Sequence, residues 1–202
     1  MTLTPRCPAS ADMTSTARTA RATSTALNVA IAAAASGVLV LAGPQLVSWR
    51  GYLWVLLLAV GVAAVYGAVI DVRTMRLPNA LVGPLAAAGA VQVAGSILYV
   101  GVDAVVPSLA AAAVVFGVYS LIAAAGWCGF GDAKFAGALV LFVGLYVGLL
   151  AIYLIPMAII LGSAHMLVAK GMSRAPVSRV PQGPAIAAAA LVIMVLGVSF
   201  FR

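Results

Sequence analysis

Short punctuation by polar residues, glycine and proline cuts this 202-residue chain into apolar runs of membrane-crossing length, and no other feature limits its fold so strictly. The runs cover about residues 26–47, 52–70, 80–100, 104–125, 135–169 and 185–201. About twenty apolar residues in a helix cross the roughly 30 Å of hydrocarbon in a bilayer. Inside that layer only helices and closed barrels satisfy their own backbone. With 65% hydrophobic and only 7% charged residues, the chain has too little polar surface to cover a soluble globule. The reading is an all-α integral membrane protein, a polytopic helical bundle.

The run 135–169 is too long for one crossing, because at about 1.5 Å per residue it would extend on the order of 50 Å. It is expected to fold back near Gly144 and Gly148, which makes about seven transmembrane helices. The other reading of this glycine pair is a GxxxG packing face within one tilted helix. Charge placement favours the fold-back. With the N-terminus inside, the inner side holds Arg6, Arg18, Arg21, Arg73, Arg76, Lys134, Lys170, Arg174 and Arg179, and the outer side only Arg50 and Arg202. Basic residues mark the cytoplasmic loops of membrane proteins, and a single span over 135–169 would move the cluster from Lys170 to Arg179 outside. The formal net charge of +7 is therefore topological and calls for no nucleic acid. Residues 1–24, rich in Thr, Ser, Ala and Arg, read as a disordered cytoplasmic tail in which Met13 offers a second start, and 25–202 as the transmembrane domain. Arg18 and Arg21 before an apolar run resemble a signal peptide in composition, but the run is longer than the 7 to 15 residues usual for one, so it reads as a retained first span.

The residues able to do chemistry are few. The chain has four acids and no Glu. Asp12 lies in the tail and Asp103 in a tight outer turn, where Asp is an ordinary turn or cap residue. Asp71 and Asp132 stand at inner ends of spans, directly against apolar runs. Carboxyls at such positions default to a functional site, the plain alternative being helix-end residues solvated by headgroups. Cys7 and Cys128 are too few for a four-ligand zinc site. His165, the one histidine, has no second imidazole and no HExxH around it, and reads as a packed or interfacial residue. Trp49, Tyr52, Trp54 and Tyr99 read as interface anchors.

Asp71 opens the string Asp71-Val-Arg-Thr-Met-Arg-Leu-Pro78-Asn79, and Asp132 closes Gly126-Trp-Cys-Gly129-Phe-Gly131-Asp132, followed by Ala-Lys134. This order, with Arg179-Val-Pro-Gln-Gly183-Pro184 before the last span, resembles the prepilin peptidases, membrane-embedded aspartic proteases of the GxGD type. The likeness covers about residues 52–200. It implies that Asp71 and Asp132 are a catalytic dyad cutting the leader from pilin precursors at the cytoplasmic face of a bacterial inner membrane, without metal or cofactor. Two carboxyls held close do not both ionise easily, so one can polarise the peptide carbonyl while the other activates water. Asp132 begins a helix and Asp71 ends one; on the helix dipole alone Asp132 is the ionised base and Asp71 the protonated acid.

The remaining site residues are read with less chemistry. Gly126, Gly129 and Gly131 allow unusual backbone and close approach of a substrate strand, or simply a flexible connection. Pro78 ends the helix after Asp71 and sets Arg76 and Asn79 at the interface. Lys134 either pairs near the dyad or snorkels to headgroups. Larger members of the resembled family carry an added cytosolic domain with CxxC pairs that methylates the product; this sequence looks like the short form associated with Flp or Tad pili, so peptidase activity without N-methylation is expected. The expected partners are a prepilin-like precursor and a bilayer with an anionic inner leaflet. Three other classes are weighed: a proton- or cation-coupled small transporter, which favours acids near mid-membrane, a serine-type membrane protease, for which neither lysine nor His165 offers a placed base, and an inactive pilus or secretion assembly subunit.

Overall fold

The computed structural model describes residues 10–46, 48–172 and 181–200. They form α1 (Ser10–Leu46), α2 (Trp49–Thr74), α3 (Asn79–Val100), α4 (Val102–Ala124), α5 (Phe130–Val147), a 3-10 segment (Gly148–Tyr153), α6 (Leu154–Met172) and α7 (Gly183–Phe200). Among the described residues there is no strand. α1 begins at Ser10, inside the stretch read from sequence as a loose tail, and its bilayer-length apolar part is 23–46. Arg6, Cys7, Arg174, Arg179 and Arg202 lie outside the described residues.

Residues 23–46, 50–74, 79–100, 102–124 and 130–168 are long and apolar enough to cross a membrane, and α7 adds a shorter apolar stretch, 183–199. The stretch 130–168 is not one helix. Gly148 stands at φ 57°, a left-handed conformation that costs glycine nothing, and α5 ends there. Gly144 has the other role. A Cβ built on it would lie 2.6 Å from Ser108 Cβ and 2.7 Å from Ser108 Cα, so α4 and α5 meet almost backbone to backbone. The two readings of the glycine pair are thus divided between its members, one the break and one the packing face.

Contacts between helices give their directions. Tyr146 Oη donates to Leu53 O at 2.8 Å while Gly67 faces Phe135, so α2 and α5 are antiparallel. α4 opposes α5, with Ser108 at Gly144 and Phe116 at Gly137. α3 runs with α5, Asn79 beside Lys134 and Gly89 against Leu141. α1 runs with α3, Gly37 at Val91 and Val40 at Gly95. α7 also runs with α5: its start meets Asp71 and its end, Gly197, meets Tyr146. Direction therefore alternates along the chain from α1 to α5. The helix starts at 79, 130 and 183 and the end of α2 share one level.

α5 is the central helix. It packs on α2, α3, α4 and α7, and Phe135, Ala136, Gly137, Ala138, Leu139 and Val140 are buried in unbroken succession. A helix apolar all round belongs in such a position. α1 is tied in differently. Ser36 Oγ donates to Ala88 O at 2.8 Å, Gln92 Nε2 to Ser36 O at 3.0 Å, and Tyr52 Oη to Gln92 Oε1. A buried amide must find hydrogen-bond partners, and here they come from α1 and α2. Tyr52, expected at the interface, is instead fully buried in this network. Trp54 and Tyr99 are exposed; the side chain of Trp49 lies outside the description.

If helix contact at Gly144 holds α4 on α5, Gly144→Ala should destabilise the protein by about 1–3 kcal/mol, the usual cost of overpacking. Gly117, also helical but with open space where a Cβ would stand, should accept Ala with a gain of roughly 0.5–1 kcal/mol. Thermal unfolding midpoints in detergent compare the two.

Candidate active site

Three segments far apart in sequence meet where α2 ends and α5 and α7 begin. Asp71 lies one turn before the end of α2. Beyond it Met75 takes a left-handed conformation, φ 53°, and its N–H returns to Asp71 O at 2.8 Å. That conformation is uncommon for a residue with a side chain. Thr74 Oγ1, within hydrogen-bond distance of Ile70 O (2.9 Å) and Arg76 O (2.8 Å), helps hold the turn. Pro78 is the N-cap of α3 and Asn79 its first residue, so the chain reverses within four residues of α2.

The second segment begins after α4, where Gly126 at φ 81° turns the chain. Gly129 is extended, at φ −88°, and caps α5. Its N–H donates to Asp132 Oδ2 at 2.9 Å. Asp132 is the third residue of the helix, the position from which an acid reaches back to the cap. Of the three glycines expected to relieve the backbone, only Gly126 does so; Gly131 serves close approach. A Cβ on Gly131 would lie 3.2 Å from both the Cβ and the O of Leu77. Leu77 is buried and locks the turn after Asp71 onto the start of α5. Sequence reading passed over it, and its only signal was an apolar residue amid Arg76 and Pro78.

The third segment supplies the contact that places Asp71. Gly183, first residue of α7, donates its N–H to Asp71 Oδ2 at 2.7 Å. A Cβ on Gly183 would come within 2.8 Å of Asp71 Cβ and Oδ2. Pro184, the next residue, suits the first turn of a helix, where its missing N–H is no loss. Asp71 is 4% exposed and Asp132 half-buried, and the two lie within electrostatic reach of each other. Each carboxyl is oriented through Oδ2 by one backbone N–H, and among the described residues no hydrogen bond is made to Oδ1 of either. The helix-end contrast expected from sequence is removed, because Asp71 ends α2 but also sits at the start of α7. Both aspartates therefore face the positive end of a helix.

Lys134 belongs elsewhere. Two positions after Asp132, roughly 200° around the helix, its Nζ donates to Asn79 Oδ1 at 3.1 Å. It makes no contact with either aspartate among the described residues. Arg73 and Arg76 are exposed. His165 is half-buried on α6, far along the chain from both motifs. Among the described residues no three of His, Cys, Asp and Glu gather to hold a metal ion.

Residues 56–169 match the model of the type IV leader peptidase family. The match covers more than half of the chain and includes both aspartates; α1 and Gly183 fall outside it. No curated protein and no solved structure matches the chain.

Cys128, in the loop before α5, places Sγ 3.8 Å from Tyr119 O. Burial first, and then the charge of Asp132, push its thiol up to about 11 from 9.0. A raised thiol pKa means less thiolate at any pH below it, so alkylation should run about a hundredfold slower than for a free thiol at neutral pH. The rate should climb about tenfold per pH unit until near 11. Iodoacetamide labelling of a Cys7→Ser protein across pH measures both.

Proposed function

Since the chain belongs to the type IV leader peptidase family, and so is a multi-pass membrane protease of prepilin leaders, we propose that Asp71 and Asp132 are its catalytic pair. The observation that carries this reading is that the two acids stand at one level, each with Oδ2 held by a backbone N–H and with no hydrogen bond to Oδ1 among the described residues. In the proposed reaction one carboxylate takes a proton from water as the water oxygen bonds to the scissile carbonyl carbon. The other carboxyl gives its proton to the carbonyl oxygen. Collapse of the tetrahedral intermediate returns that oxygen to a carbonyl and breaks the C–N bond, and a proton passes to the leaving amine. With a helix start behind each aspartate, the pair is best treated as one unit sharing a proton rather than as a fixed acid and a fixed base.

The orientation we favour puts the N-terminus and both aspartates on the cytoplasmic side of a bacterial inner membrane. Alternating helix directions and the inner basic excess support it, with the 3-10 segment and α6 forming the return leg that makes seven crossings. α1 and α2 are joined by residues 47 and 48 only, and the 202 residues contain no CxxC pair. Both facts support cleavage without N-methylation, as in the short Flp or Tad type. A transporter would place its acids mid-membrane, whereas these stand at helix ends. The precursor's apolar helix would bring the leader junction to the depth of the pair by lateral entry from the bilayer, with anionic lipid holding basic groups of both proteins.

Co-expression with a prepilin-like precursor tests the pair. Asp71→Asn and Asp132→Asn should each slow leader removal by about 10²–10⁴-fold with membrane insertion intact, and Gly183→Ala, by displacing Asp71, by about 10²-fold. Gly171→Ala, which meets open space, should process normally. Normal processing by either Asn variant sinks the proposal. Lateral entry further predicts that a leader peptide lacking its apolar helix is a poor substrate in detergent; equal turnover of the trimmed and full precursors would count against it.

A further inference from the structure

On the face of α5 turned away from Asp132 lies a groove of about 610 Å³, walled by α3 and α4 and floored by Gly137, Ala138 and Leu141. α3 and α4 are joined by the tight turn at Gly101 and both pack on α5. The groove opens between them towards the outside of the bundle. Its rim residues Leu109 and Phe116 are about half exposed, 49% and 45%. Its lining is apolar except at the end level with the aspartates. There Asn79 and Lys134 close it, and Thr25 of α1 lies alongside.

Lys134 gives this groove a sense. An ammonium has three N–H donors, and one is taken by Asn79 Oδ1. The exposed lysine is thus a cation with donors to spare at the end of an apolar furrow. No acid among the described residues forms an ion pair with it. Lys134 therefore puts positive charge at one end of an otherwise uncharged lining.

An occupant must match both halves, with a long apolar part and an anionic group at the level of the membrane surface. A bare anion would gain nothing from the furrow, and an apolar helix would leave the lysine without a partner. We infer that this groove binds one anionic phospholipid, its acyl chain along α5 between α3 and α4 and its phosphate on Lys134 and Asn79. Basic pockets between transmembrane helices take anionic headgroups in this manner. The site is on the opposite side of α5 from the aspartates and owes Thr25 to α1, the helix that lies before the family match. It is independent of the peptidase reading. Bound lipid would fill the gap between α3 and α4 and brace the helix that carries Asp132.

Native mass spectrometry of the full chain in mild detergent, titrated with phosphatidylglycerol or phosphatidylcholine, tests the site. The wild type should retain phosphatidylglycerol in preference. Lys134→Gln should weaken that retention about fivefold, the effect of one basic residue on anionic lipid, while Lys134→Arg should keep it. Ala113→Trp, which fills the furrow from its exposed side, should lower retention with the lysine intact. Asp71→Asn should bind as wild type, which separates this site from the catalytic pair. Equal retention of the two lipids, no change with Lys134→Gln, or displacement of the lipid by an equimolar prepilin-like precursor would overturn the assignment, the last by giving the groove to a protein helix.

Discussion

The structure turns on a rule that hydrocarbon enforces: the first N–H groups of a helix have no partner within it and cannot be left bare. In this protein two of the four acids in the chain answer that rule. Asp132 Oδ2 receives the N–H of Gly129 at the start of α5, and Asp71 Oδ2 receives that of Gly183 at the start of α7. The second bond crosses from one helix to another, joining residues 112 positions apart. Placing Asp71 and docking α7 are therefore one event, and the same bond that completes a helix aims a carboxyl.

Cohesion elsewhere comes from close approach. Lipid tails are as apolar as side chains, so helices in a bilayer gain little from hiding from them and depend on packing and hydrogen bonds. Gly144 against Ser108, Gly95 against Val40 and Gly131 against Leu77 are contacts in which a methyl group would not fit without displacement. Around α5, Gly131 and Gly144 let neighbours reach one helix, and its opposite faces carry different chemistry: Asp132 towards Asp71 of α2, Lys134 towards α3 and Asn79. α1 is held both by this close packing on α3 and by polar groups, through Ser36, Gln92 and Tyr52.

Much of this was legible residue by residue. Apolar runs located the helices, because crossing a bilayer demands uninterrupted length. Gly148 was readable as a break, since a run that long must turn and glycine turns most cheaply. The two acids stood out through rarity and position. Other features were hidden. Tyr52 looks like any interfacial aromatic until Gln92, 40 residues on, is seen to bind it. The helical start at Ser10 was masked by a composition of Thr, Ser and Arg that also suits a loose tail. Lys134 sits two residues from Asp132 in sequence, yet helical rotation carries it to the opposite side. Gly129 and Gly131 resemble hinge glycines, but one is an ordinary extended cap and the other a contact surface.

Class and division into helices were thus determined by the amino-acid sequence alone, because hydrophobic length and the placement of charge act locally and need no partner. So was the identity of the two acids worth watching. Only tertiary structure decided that Asp71 answers α7 as well as ending α2, and that Leu77 clamps its turn. It alone also paired Lys134 with Asn79. Each of these rests on a contact between segments distant in the chain, and such contacts depend on how helices pack, which no local pattern of residues encodes.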